Sequence, residues 1–232
     1  MARAESQRTA RRLAASLAGA ALGIACPAQA VEQRCAGVDV VVQAPLRADA
    51  RTACEGARAA IEFLAGQGLR VPGPIAVHVV AELPETANSE AIGAYLHRER
   101  RAYILTYKAF LAQTRMFELP GDRDLYRSLA AHEVAHVVAA ANFAVAKPLI
   151  EAQEYVAYVA QLASMAPKLR SRVLAQYHGQ GFATDLEMNT AIYLVDPDRF
   201  GVNAYRHFAR PENGTAFLAR VLAGRILAFQ PP

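Results

Sequence analysis

Several scarcities narrow the reading of this chain before any motif is considered. Glycine and proline together supply only 26 of 232 residues, and charged residues make up 20% against 53% hydrophobic. That balance excludes a disordered or collagen-like chain and allows one sizeable buried core. Three cysteines are too few for a small disulfide scaffold, and none stands in a Cys-x-x-Cys or other metal-binding spacing. After residue 30, basic residues cluster only at Arg98, Arg100 and Arg101, without interleaved aromatics. Nothing therefore supports a nucleic-acid partner. After residue 30 there is no repeat, no low-complexity tract and no apolar run long enough to span a bilayer.

What is present begins with the first thirty residues. Arg3, Arg8, Arg11 and Arg12 precede a small, apolar stretch from Leu13 to Ala25, and Ala28-Gln29-Ala30 supplies an A-x-A cleavage signature. The pattern predicts a secretory signal peptide over 1–30, removed after Ala30, and a periplasmic or secreted mature protein with no integral membrane segment. Arg11-Arg12 offers twin-arginine export and Cys26 a lipoprotein anchor as lesser alternatives, each with poorly matching neighbours. Four Arg and one Glu lie in this segment, so the whole-chain formal charge of +4 falls to +1 in the remainder. The basic balance thus reports on compartment rather than on an anionic partner. With Cys26 gone, Cys35 and Cys54 remain as an expected disulfide pair.

Residues 31–232 read as one α+β domain, expected to be a monomer, with a sheet-containing half over 31–120 and a helical half over 121–232. Short β-branched runs at 37–43 and 74–80 flank an Ala-rich segment, 47–66, with apolar residues at helical spacing. IGAYLH from 92 and AYILTY from 102 form a hairpin pattern around a charged turn. Downstream, helices are expected over 125–141, 149–165, 167–177, 186–195, 199–208 and 215–229, separated by Pro and Gly.

The chemistry is concentrated in Ala131-His132-Glu133-Val134-Ala135-His136. Four residues of helix turn through about 400°, so His132 and His136 project from one face, one turn apart, and can hold one metal ion. Glu133 lies beside them as a general base, and Val134 and Val138 point into the core. A catalytic zinc needs a third protein ligand and an open position, which a following helix can supply. Residues 148–159 offer two carboxylates, Glu151 and Glu154.

Here the chain resembles the gluzincin branch of the zincin metallopeptidases, in which His-Glu-x-x-His is followed on the next helix by Glu-x-x-Ala or Glu-x-x-Asp. Glu154-Tyr155-Val156-Ala157 fits that pattern, with 17 residues between His136 and Glu154, and Glu151, with 14 residues between, is its competitor. The residues after His136 exclude the branch that uses a third His, and no cysteine suits the peptide deformylase pattern. The resemblance covers residues 100–165. It implies a zincin-like fold, a small mixed sheet ahead of the active helix, and an edge strand bordering the cleft, for which Ala102 to Tyr107 is the candidate. It also implies Zn²⁺ on His132, His136 and Glu154, Glu133 as base, a peptide or protein substrate, and an oxyanion-stabilising Tyr or His. Tyr205 and His207 are the nominees for that last role, with Tyr177 and His178 behind them. The resulting expectation is an exported zinc metallopeptidase. The alternative, from a different class, is an exported zinc-binding module or inactive homologue without turnover.

Overall fold

The computed structural model describes residues 30–87, 91–112 and 115–228. The expected signal peptide and Cys26 lie outside them. Five strands form one mixed sheet: β1 (Val31–Arg34), β2 (Val40–Ala44), β3 (Ile75–Val80), β4 (Gly93–Leu96) and β5 (Arg101–Leu105). Their order is β1-β2-β3-β5-β4, with β2, β3 and β5 parallel and the two flanking strands antiparallel. Eight helices accompany them among the described residues. The chain is therefore α+β, as its pattern predicts.

The sheet is sided by simple alternation. Ile75, Val77 and Val79 of β3 are buried, whereas Ala76, His78 and Val80 are half-buried on the far face. The helices α1 (Arg47–Gly66) and α3 (Arg123–Ala140) cover the apolar face and pack against each other. Two further layers follow, α4 (Ile150–Ser164) on α3 and α7 (Pro197–Phe208) on α4. Their buried apolar side chains form one connected core. Cys35 and Cys54 are bridged, tying the start of the β1–β2 turn to α1.

Where α1 crosses α3 the backbones nearly touch. A Cβ on Gly56 would meet the carbonyl of Arg127 and lie 2.9 Å from the Ala130 Cβ, so only glycine allows this approach. The start of α3 is fixed separately. Asp122 caps it by accepting from the Leu125 N–H at 2.9 Å. The fully buried Asp49 accepts from Arg123 Nη1 at 2.8 Å and from the Tyr107 N–H at 3.1 Å. α3 is thereby seated against α1 and against α2 (Tyr107–Ala112).

Several expected boundaries differ. β1 lies outside the expected strands: three of its four residues, Glu32, Gln33 and Arg34, are polar, so it carries little local strand signal. The run at 37–43 becomes strand only at Val40, because Gly37 sits at φ +81° in the preceding turn. The 102–107 segment is not the edge strand. β5 is paired on both sides, to β3 and β4, and Tyr107 opens a helix, so β4 is the edge. The helix expected over 186–195 is broken at Asn189, whose side chain accepts from the Ile192 N–H, leaving a 3₁₀ turn at Asp185–Glu187 and α6 at Thr190–Val195. α5 (Pro167–Leu174) and α8 (Gly214–Leu222) also stop short of their expected ends, the latter before Gly224 at φ +66°.

Candidate metal centre

α3 runs under the sheet with its middle turns almost entirely enclosed, and α4 returns antiparallel to it after the loop at 141–149. The return brings Glu154 onto the two histidines. His132 Nε2 lies 3.1 Å from His136 Nε2, and the Glu154 carboxylate spans the pair, Oε2 at 3.4 Å from His132 and Oε1 at 3.5 Å from His136. Each of these distances is close to the spacing of neighbouring ligand atoms around one metal ion, and one ligand atom from each residue lies within 4.8 Å of the others. Zinc–nitrogen bonds of about 2.0–2.1 Å in a tetrahedral site put neighbouring ligand atoms about 3.3 Å apart. The three residues are the His/Glu group able to hold a metal ion among the described residues.

Glu133 completes the arrangement. Its side chain is buried, and Oε2 has no hydrogen-bond partner among the described residues. A buried unpaired carboxylate oxygen is costly unless a proton, water or cation meets it. Burial pushes the Glu133 carboxyl up to about 8, Glu154 adds to the rise, and His132 opposes it. The donor set of two imidazoles and a carboxylate, with this orphaned oxygen beside it, fits zinc.

Two of the three candidate ligands already favour the protonation state that coordination needs. Burial takes His136 down to about 4, outweighing the attraction of Glu154, so its imidazole is neutral and able to coordinate at neutral pH. Burial also works against charge on His132, but Glu154 and Glu133 outweigh it and raise its pKa in the metal-free site. Burial works against ionised Glu154 too, yet the two histidines hold it below the usual carboxylate range.

These residues line a cleft of about 760 Å³. One wall is the edge strand β4, where Gly93 backs directly onto Glu133. A Cβ there would stand 2.8 Å from its Cγ and Cδ and closer still to Oε1. The opposite wall is α6, which presents Tyr193, Leu194 and Val195. Tyr158 also reaches the cleft, its ring packed edge-on to His132 with centroids 4.6 Å apart. It occupies space that Gly201 of α7 leaves free.

Glu151 is engaged elsewhere. Its Oε2 accepts from the Thr190 hydroxyl at 2.6 Å, pinning the first residue of α6 to α4. Tyr205 and His207 are also not in the cleft. His207 is buried on the other side of α4, with Nδ1 2.9 Å from the Tyr155 hydroxyl and its ring against Phe217. Tyr155 follows Glu154 by one residue, and that 100° step turns it away from the histidines. Tyr205 lies beside Arg170, 5.7 Å from its ring centroid, at a separate shallow pocket. Tyr177 is a core residue and His178 is exposed. The phenol overlooked by sequence reasoning is Tyr193, which borders Glu154 closely enough to help keep it ionised. Its position after the Asn189 cap was the available signal.

A family model described as a family of unknown function, DUF6639, matches residues 40–231. The chain belongs to the DUF6639 family. The match spans the sheet from β2 onward, both ligand helices and the α6 wall, so the whole centre lies within the region that defines the family. No curated protein and no solved structure matches this chain.

Proposed function

We propose that this protein is an exported zinc-dependent hydrolase that cleaves peptide bonds. One observation carries the reading: two imidazole nitrogens and a carboxylate stand at tetrahedral-edge distances beside an unpaired buried carboxylate, on the wall of an open cleft. His132, His136 and Glu154 would hold the zinc, which would supply Lewis acidity toward a scissile carbonyl and a water. Glu133 takes the proton of the attacking water on Oε2 and returns it to the leaving amine. Tyr193, in place of Tyr205 or His207, is the cleft phenol that would turn from Glu154 to donate to the developing oxyanion. β4, unpaired on its outer side among the described residues, offers main-chain groups to an extended substrate. Export rests on the A-x-A segment and is supported by the Cys35–Cys54 bridge. Among the described residues no helix is long and apolar enough to cross a membrane.

Elemental analysis of the purified protein, followed by a broad peptide library with and without a zinc chelator, tests this directly. About one zinc per chain and chelator-sensitive cleavage restored by zinc are expected. Zinc without cleavage would favour the alternative of a zinc-binding module, and absence of zinc would overturn the site. A second expectation concerns Gly93. Gly93→Ala places a methyl group against the Glu133 carboxylate, so turnover should fall by roughly 10²-fold through misplacement of the base, with zinc content unchanged.

A further inference from the structure

Gln161 lies two turns beyond Glu154 on α4 and is completely buried. The reaction proposed above makes no use of it. A buried primary amide needs an acceptor for its nitrogen and a donor for its oxygen. Here Gln161 Oε1 lies 3.0 Å from His132 Nδ1, and Gln161 Nε2 donates to Ser128 Oγ at 3.2 Å. The Ser128 hydroxyl in turn donates to the Leu125 carbonyl at 2.8 Å.

The direction of this chain is set at its far end. A carbonyl only accepts, so the single hydroxyl hydrogen of Ser128 is committed to Leu125, and only its lone pairs face Gln161. The amide must then turn its nitrogen to Ser128 and its oxygen to His132. An amide oxygen also only accepts, which requires the hydrogen of His132 to sit on Nδ1. In the neutral imidazole, the form that binds a metal, Nε2, the atom facing His136 and Glu154, is then left with its lone pair. The reverse arrangement, amide flipped and hydrogen on Nε2, would block coordination and detach Ser128 from Leu125.

We propose that Gln161 and Ser128 are positioning residues, a neutral relay that fixes His132 as its Nδ1–H form and dedicates Nε2 to the metal; this rests on the zinc reading above. Carboxylates commonly play this part beside histidine ligands. At this position one would be a third carboxyl group around the histidines, after Glu133 and Glu154. An amide orients the ring without adding that charge.

The test uses the full zinc-loaded protein. Nitrogen-resolved NMR should show His132 with its hydrogen on Nδ1 and the metal on Nε2, and chelator competition gives zinc affinity. Gln161→Leu should weaken zinc binding by roughly 10–100-fold. Gln161→Glu, which still accepts from Nδ1–H, should keep the Nδ1–H signal and recover most of the affinity. Ser128→Ala, a small change that guards against misfolding of the Leu variant, should weaken binding several-fold. Wild-type affinity in both Gln161→Leu and Ser128→Ala, or coordination of His132 through Nδ1, would overturn the relay while leaving the zinc site standing. Failure of the unsubstituted protein to hold zinc would overturn the metal reading, and the relay with it.

Discussion

Glu133→Gln is expected to keep its zinc and to hydrolyse peptides about 10²–10⁴-fold more slowly than the unsubstituted protein, the range associated with loss of a positioned general base. Gln is nearly isosteric, so the space bounded by Gly93 is respected, but its amide cannot accept and return a proton. Metal content measured beside turnover separates this outcome from collapse of the site. The same substitution has a signature in the metal-free protein. In the native state Glu133 holds its proton up to about 8, whereas an unperturbed glutamate releases it near 4.5. As pH rises between those values the unfolded chain sheds the proton first, so rising pH favours unfolding and this group's contribution to stability declines. Gln does not titrate. Denaturant midpoints of metal-free protein across that window should therefore fall less steeply for Glu133→Gln than for the parent, and equal slopes would contradict the raised pKa.

The second large effect separates the two carboxylates of α4. Glu154→Ala should lose zinc, with affinity down by 10²-fold or more on the order expected beyond the 10–100-fold cost of disturbing a ligand's supporting partner. Glu151→Ala should retain zinc at one per chain. It leaves the Thr190 hydroxyl without its 2.6 Å acceptor and should cost about 1–2 kcal/mol of stability. Elemental analysis and thermal unfolding of the two variants side by side check both halves. Loss of zinc from Glu151→Ala and its retention in Glu154→Ala would reverse the ligand assignment.

The His-Glu-x-x-His helix was legible in sequence because its meaning is local. One helical period puts both histidines on one face, and the apolar residues between them bury the rest. Glu154 was legible by its place in the following helix, and the α+β class by the change from β-branched runs to helical spacing. The strand order was not. Whether β4 or β5 forms the edge depends on which strand β3 accepts as a neighbour, and neither hairpin strand carries that information within itself. Tyr205 and His207 were nominated by residue type, but a one-residue step around α4 separates the cleft from the pocket that receives His207. Gln161 had a signal that could have been used: a lone amide between Ala160 and Leu162, in a helix otherwise apolar at that point, needs a buried partner.

The Cys35–Cys54 bridge has a consequence for how the ligand helix matures. Cys54 stands two residues before Gly56, where α1 meets the backbone of α3 with no side chain between. Closing a loop of 19 residues removes about 3 kcal/mol of freedom from the unfolded chain. In a reduced chain the surface on which α3 rests loses that restraint, while all three metal ligands remain in the sequence. In the zinc reading proposed above, forming the bridge would help set the spacing of the histidines through α1 and α3, and an oxidising compartment would favour a competent centre.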